Sequence, residues 1–383
     1  MDQGEYVMEL YPWEEKAYNE LISLYEKFYK RLAELGKECY KIDSYMLFNN
    51  GVKDLTCEQE QQIRDYWGNY IDNFNIYYHR YYIDRTGQFD VRFIPDDIFA
   101  GYIDGYLNNR MIEAGVSDKN YFDLYLNGFK MPVTYIHLIN GTFEDSSYRI
   151  MSRENAIKYL VHIRRFIVKP SMASYGGKGC SLFYNPTYEE IDNYLKEVNC
   201  ENLIFQEIVE QHKMTALLHP KSLNTIRIMT LLLDGEIKVL SSVFRIGVGE
   251  SYVDNASKGG IYCKIMPDGT LSNFAYDALG NRFDAHPDGG VFSDIKFEFM
   301  DQVHALVVKA AQRFPHFRLI GWDIAVDKDS TPIIIEANLT MSGMDVIETI
   351  CGPLFGEYTE RILDEVFYEN KKKDISIDLL QYI

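Results

Sequence analysis

The run Phe166-Ile167-Val168-Lys169-Pro170 is an apolar stretch that reaches a lysine, and Ser171-Met172-Ala173-Ser174-Tyr175-Gly176-Gly177-Lys178-Gly179 follows it. Glycines let backbone N–H groups close around an anion, and lysines add the charge that a phosphate attracts. The GxxxxGK[ST] loop is absent. Taken alone, a glycine turn beside a solvated lysine explains this segment better. A second segment joins Gly321-Trp322-Asp323-Ile324-Ala325-Val326 to Ile333-Ile334-Ile335-Glu336-Ala337-Asn338. Asp323 interrupts an apolar strand, and alternation puts Glu336 and Asn338 on one face. If the two strands pair across a turn at 327–330, three oxygen donors converge. Charges inside apolar strands are costly unless paired or bound to metal. Hard oxygen donors without His or Cys suit magnesium, or manganese, shared with substrate phosphates. The alternative is an edge hairpin with solvent-facing acids, which leaves Asn338 without a role.

Between these segments lie Asn224-Thr225-Ile226-Arg227-Ile228-Met229-Thr230 and Val243-Phe244-Arg245-Ile246-Gly247, each an apolar strand carrying one arginine. Such arginines bind carboxylate or phosphate with a planar fork, and structural pairing with Asp or Glu is the competing explanation. The polar loop Asp254-Asn255-Ala256-Ser257-Lys258-Gly259-Gly260 comes shortly after.

The elements that must position these residues are legible from periodicity. Residues 13–35 repeat apolar groups at helical spacing and stop at Gly36. Thr56-Cys57-Glu58-Gln59 has the form of a capping box, opening a helix towards Tyr82. Half of the thirty tyrosines fall in the first 110 residues. Tyr77, Tyr78, Tyr81 and Tyr82 share a helical spacing that makes them a packing face rather than a stacking platform. Strands are predicted over 132–139, 165–169 and 203–209, with helices over 152–163, 187–198 and 297–314. Hairpins are predicted at Asp234-Gly235 (225–233 with 237–246), near Pro267-Asp268-Gly269, and between 319–326 and 333–338. Strands and helices alternate without repeated βαβ units, so the fold class is α+β with antiparallel sheets.

Composition removes several function classes. The chain has 383 residues, 46% hydrophobic and 25% charged, with net charge −18. That length supports two or three packed units. An acidic surface repels nucleic acid, and no Lys/Arg run is longer than Lys371-Lys372-Lys373. The six cysteines show no CxxC pair or metal-like spacing, a pattern of reduced thiols. Residues 1–15 lack the basic start and apolar core of a signal peptide, and no stretch is long enough to span a bilayer. A cytoplasmic protein without nucleic-acid partner or membrane span is expected.

Taken in order, a lysine at a strand end, a glycine loop, Gln206-Glu207-Ile208-Val209, strand arginines, an Asn-containing loop and Asp…Glu-x-Asn resemble the ATP-grasp superfamily. The resemblance is closest to its sugar-transfer-associated family, through Asp118-Lys119-Asn120, Ser222-Leu223-Asn224-Thr225-Ile226-Arg227, Arg245-Ile246-Gly247, Val253-Asp254-Asn255 with Gly259-Gly260, and Gly321-Trp322-Asp323. It runs from Lys119 to Gly343 and extends to Ile94-Pro95-Asp96-Asp97. It implies an ATP-grasp fold of two α+β subdomains, behind an N-terminal helical region at 1–114. The first part, with the lysine and glycine loop, is then 115–210, and the part with the metal hairpin is 211–383.

Carried over by residue, the resemblance gives ATP-phosphate contacts to Lys119 and Lys169. It gives a lid over the phosphates to the loop with Ser174, Gly176, Gly177, Lys178 and Gly179. Gln206, Glu207, Ile208 and Val209 resemble the adenine-binding hinge, and Asn224 stands where a ribose-binding acid is usual. Asp323, Glu336 and Asn338 resemble magnesium (or manganese) ligands, and Arg245, Arg227, Asn255 and Lys258 the catalytic set. After Asn338 the run Leu339-Thr340-Met341-Ser342-Gly343 departs from the usual Pro-Gly. The implied activity is a carboxylate–amine ligase that forms an acyl phosphate and releases ADP. Its substrates would be small molecules, with an amino acid and a sugar acid of cell-surface polysaccharide as the analogy. A kinase acting on a hydroxyl and a non-catalytic ATP-binding module are the alternatives. The oligomeric state is open, a dimer included.

Overall fold

The computed structural model describes residues 52–72, 74–172, 179–198, 200–255 and 258–369, with helical positions at Lys16, Asn19, Glu20, Ser23, Leu24 and Lys27. The expected helix at 13–35 otherwise lies outside the described residues. The chain divides into two compact units. One comprises Met1–Tyr81, Ile94–Ile103 and Glu357–Ile383, the other Tyr82–Phe93 and Asp104–Gly356.

In the first unit, helix α1 (Cys57–Gly68) opens with the anticipated capping box. Thr56 Oγ1 accepts from the Gln59 N–H, and Gln59 Oε1 from the Thr56 N–H. The single helix expected to reach Tyr82 is two, α1 and α2 (Tyr77–Thr86). The break follows from Gly68-Asn69: the Asn69 amide donates to the Asp65 and Tyr66 carbonyls, competing with continuation of the helix. Trp67 packs edge-on to Tyr70 and His79. Of the four tyrosines on α2, Tyr78, Tyr81 and Tyr82 are buried, and Tyr77 is exposed.

The second unit holds two antiparallel sheets. The six-stranded sheet contains β1 (Thr134–Ile139), β2 (Thr142–Asp145), β3 (Ile150–Met151), β4 (Arg165–Pro170), β5 (Ser181–Tyr184) and β6 (Leu203–Gln206), in the order β3-β2-β1-β6-β4-β5. Helices α3 (Arg153–Ile163) and α4 (Tyr188–Glu197) accompany it, capped by Ser152 and Thr187 as their sequences imply. Ile157, Leu160, Ile191, Phe166 and Phe205 close that core. Strand β6 stops at Gln206 rather than Val209. Beyond it the chain leaves for the other sheet, where Gln211 bridges to Asp327 and the Glu210 carbonyl accepts from the Lys328 N–H.

The seven-stranded sheet runs β11-β10-β9-β8-β7-β12-β13. Its strands are β7 (Ile226–Leu233), β8 (Glu236–Ile246), β9 (Ile261–Ile265), β10 (Leu271–Asp277), β11 (Arg282–Phe283), β12 (Leu319–Val326) and β13 (Pro332–Asn338). Asp234 and Gly235 both take positive φ, 51° and 80°, as a tight hairpin of this hand demands. Helix α5 (Met300–Ala311), shorter than the expected 297–314, covers one face. There Ile226, Ile228, Phe244, Ile246, Trp322 and Val303 form the main core. Trp322 is fully buried with its indole N–H on Thr230 Oγ1, at 2.9 Å. The opposite face of the sheet carries the charged residues, and helix α6 (Met344–Cys351) follows β13.

Candidate active site

Pairing of β12 with β13 sets Asp323 opposite Glu336 and Gly321 opposite Asn338, so the three expected oxygen donors do share one hairpin end. On the other side of β12, Asp323 faces Arg227. Arg227 forks onto it, Nε to Oδ1 at 2.6 Å and Nη2 to Oδ2 at 3.2 Å, while Nη1 donates to the Ser342 carbonyl at 2.6 Å. Arg245 Nη1 adds a third donor to Asp323 Oδ2 at 2.9 Å, and its Nη2 reaches Asp254 Oδ1 at 3.4 Å. Thr225 completes Asp254, donating to Oδ2 from both its N–H and its hydroxyl. Burial alone pushes the Asp323 carboxyl up, but the two guanidiniums win and hold it well below the carboxylate range. For Arg245 burial acts downward, and Asp254 and Asp323 more than offset it, so it stays charged. Burial raises Asp254, with Arg245 and Thr225 opposing.

Glycine keeps the loop after Asp254 closed. A Cβ on Gly260 would stand 2.4 Å from the Asp254 carbonyl oxygen, and the Gly260 N–H bonds to the Asn255 carbonyl. Lys258 is exposed on this loop, and its own N–H also goes to Asn255.

Two lysines arrive from the other sheet. Lys119 lies on a short 3-10 turn (Lys119–Tyr121) whose first N–H bonds to the Ser171 carbonyl, directly past β4. That bond places Lys119 beside Lys169 of β4. Lys119 Nζ is 2.8 Å from Glu336 Oε1, and Lys169 Nζ donates to Gln206 Oε1 at 3.3 Å. Burial lowers the Lys169 pKa, with Cys180 and Glu336 opposing and Lys119 adding to it. Gln206 turns its other end to Thr134, so it orients Lys169.

Asn120, next to Lys119, is gripped from four sides. Its N–H donates to Asp118 Oδ1, its amide donates to the Leu138 carbonyl, its Oδ1 meets His137 Nδ1 at 3.1 Å, and its carbonyl accepts from Tyr148 Oη at 2.7 Å. The Tyr148 ring stacks on the fully buried His137 with centroids 4.5 Å apart, and its hydroxyl also bonds Asp123. Sequence reasoning missed this brace. Its members come from 118–123, β1 and a loop near 148, and no local pattern connects them. No local sequence pattern pairs Asp254 with Thr225 either, since 29 positions separate them.

The expectation for Asn224 is corrected. It is fully buried, its amide nitrogen donates to the Thr215 and His219 carbonyls, and its oxygen accepts from Ser222 Oγ and the Gly247 N–H. No polar atom of that side chain is left for a ribose. Glu207, Ile208 and Val209 are half-buried in the crossing between the sheets, with the Glu207 N–H on the Val133 carbonyl. Gly179 takes φ +81°, and a Cβ there would meet Pro170 Cγ at 2.8 Å. Ser174, Gly176, Gly177 and Lys178 lie outside the described residues.

The donor set suits a divalent cation shared with phosphates. It comprises Glu336, the Asp323 carboxylate, whose Oδ2 accepts from both arginines while Oδ1 accepts one bond and keeps a lone pair, and the Asn338 amide, whose nitrogen is committed to the Gly321 carbonyl at 2.9 Å, leaving its oxygen available. Among the described residues no group of three His, Cys, Asp or Glu side chains forms an all-protein cage. No described helix is long and apolar enough to cross a membrane.

A family model described as "Sugar-transfer associated ATP-grasp" matches residues 100–353. No curated protein sequence matches. Among solved structures, similarity extends to D-alanine-D-alanine ligase of Coxiella burnetii: 12% identity, 72% of this chain and 63% of that one, TM-score 0.41. L-amino acid ligase of Bacillus licheniformis matches at 16% identity, covering 67% and 48%, with TM-score 0.38. The biotin carboxylase domain of Hydrogenobacter thermophilus 2-oxoglutarate carboxylase, in complex with MgADP and bicarbonate, matches at 17%, covering 66% and 46%, with TM-score 0.41. The chain spans less than two thirds of the length of each.

Proposed function

The chain belongs to the sugar-transfer associated ATP-grasp family, and from that premise we propose that it is an ATP-dependent carboxylate–amine ligase working through an acyl phosphate. One observation carries this reading. Lys119, Lys169, Arg227 and Arg245 crowd the hairpin end that holds Asp323 and Glu336, a charge pattern suited to a polyphosphate and its counter-cation.

In this reading Lys119 and Lys169 hold the ATP phosphates, and the chain at 206–209 lies along the adenine. A bound magnesium or manganese ion, on Asp323, Glu336 and Asn338, would neutralise phosphate charge and polarise the phosphoryl oxygens. A substrate carboxylate oxygen bonds to the γ-phosphorus as the bond to ADP breaks, with Arg245 neutralising the moving charge. An amine nitrogen then attacks the acyl carbon, phosphate leaves, and the amine gives up a proton. Arg227 secures the loop after Asn338 through Ser342, and Asn255 and Lys258 border the acyl phosphate. By analogy with the family's sugar-transfer association, the substrate is a sugar acid or amino acid, in cell-surface polysaccharide assembly. We propose 115–210 and 211–383 as the functional halves, meeting where β6 gives way to β7.

Hydroxylamine tests the reaction class. With ATP, magnesium and a panel of sugar acids and amino acids, but no amine, the ligase yields a hydroxamate. A phosphate ester stable to hydroxylamine would assign a kinase instead.

Two further results are expected. Lys169 sits below its ordinary pKa because burial disfavours its charge, and a phosphate restores that charge. ATP binding therefore takes up a proton at pH values above the lowered pKa, and affinity falls as pH rises past it. Calorimetry in two buffers of different ionisation enthalpy measures the uptake. Lys169→Met should abolish it and weaken ATP binding; equal uptake in both proteins would remove Lys169 from the phosphate site. Tyr148→Phe deletes the hydroxyl shared by the Asn120 carbonyl and Asp123 and so loosens the brace beside Lys119; ATP affinity should fall roughly fivefold with kcat nearly unchanged. A change in kcat with ATP affinity intact would mean that the brace does not act through Lys119.

A further inference from the structure

Helix α6 separates two charged places on one sheet face. Its start adjoins Arg227, since a Cβ on Gly343 would lie 3.3 Å from Arg227 Nη1. At its other end the Cys351 carbonyl accepts from Lys264 Nζ at 3.3 Å. Lys264 pairs with Val243, Val243 with Arg227, and Arg227 with Asp323. Three strand spacings therefore separate Lys264 from Asp323, about 14 Å.

A cleft of about 430 Å³ opens beside Lys264. Gln88, Thr270, Ser272, Asn273 and Ser293 line it with amides and hydroxyls, and Lys264 is its one charged group. Among the described residues no carboxylate pairs with this half-buried ammonium; its bond is to a neutral carbonyl. In a chain of net charge −18 an uncompensated cation at a polar cleft is an anomaly that an anionic ligand would resolve. One cation suits one negative charge. The negative end of the α6 dipole, at the Cys351 carbonyl beside Lys264, opposes a dianion such as phosphate more than a monoanion. The hydroxyl and amide lining calls for a ligand rich in hydroxyls.

We propose that this cleft binds a small hydroxylated carboxylate, its carboxylate on Lys264 and its hydroxyls on the surrounding amides and alcohols. The site is distinct from the phosphate-binding end of the sheet and does not depend on the ligase reading.

The probe is D-glucuronate, titrated into the full chain saturated with MgATP, with D-glucose as the uncharged control. Saturable glucuronate binding of about millimolar Kd is expected, with glucose weaker by about tenfold or more, the worth of a charge-assisted hydrogen bond. Lys264→Gln should erase that preference. Asn273→Asp, a change at an exposed position, places a competing carboxylate beside the lysine and should do the same. Both variants should keep wild-type ATP affinity, which separates this site from the nucleotide site. Three outcomes overturn the proposal: no saturable glucuronate binding at tens of millimolar, binding untouched by both substitutions, or binding seen only when MgATP is left out.

Discussion

Glu336→Gln lowers turnover by about two to three orders of magnitude, the scale on which one preorganised charge stabilises a transferring phosphoryl group. Glutamine keeps the shape and one acceptor oxygen at the position opposite Asp323 but removes the negative charge. It also releases Lys119, whose ammonium lies 2.8 Å from the carboxylate. ATP without metal should consequently bind no more weakly than to wild type, because one repelling carboxylate is gone. The gain from added magnesium should shrink. Glu336 is partly exposed, so the melting temperature should move little. Steady-state kinetics across a magnesium titration reads turnover and the magnesium gain, calorimetry without metal reads ATP binding, and wild-type turnover would make the hairpin purely structural.

Arg245→Ala should reduce hydroxamate formation by about a hundredfold or more while ATP affinity changes far less, since Arg245 is assigned to charge that develops during transfer. Its removal also strips Asp254 of its guanidinium and Asp323 of one of two, and an unpaired buried carboxylate destabilises a fold by about 3–5 kcal/mol. Arg245→Lys is therefore the companion variant. It retains the charge and loses the fork, so it should fold and still lose most of the rate. Single-turnover kinetics separates the chemical step from binding. If both variants lose ATP binding and hydroxamate formation in equal proportion, Arg245 holds the ground state and not the transition state.

The sequence made the hairpin ends and strand phases readable because they obey short-range rules. Asp234-Gly235 dictates its turn, and Thr56 and Thr187 announce their helices with reciprocal caps. Strand alternation was enough to put Glu336 and Asn338 together. What alternation cannot supply is the partner across the sheet. The strand arginines admitted either phosphate or a structural acid, and the structure shows them on Asp323 and Asp254, which lie beyond any local window. Asn224 fails for the same reason: its four partners come from 215–222 and 247, and they consume the side chain. Residues 56–82 carry a helical pattern throughout, yet the Asn69 side chain takes carbonyls that the next turn needs. The brace around Asn120 was invisible because stacking of Tyr148 on His137 joins separate strands and loops.

The most direct measurement is the identity of the nucleotide produced from ATP when the acid panel and amines are supplied together. Magnesium, Lys119, Lys169 and Arg245 are assigned to the terminal phosphates, so ADP and inorganic phosphate are expected, formed in step with the amide. AMP and pyrophosphate would place the chemistry at the α-phosphate, and that result would contradict the account.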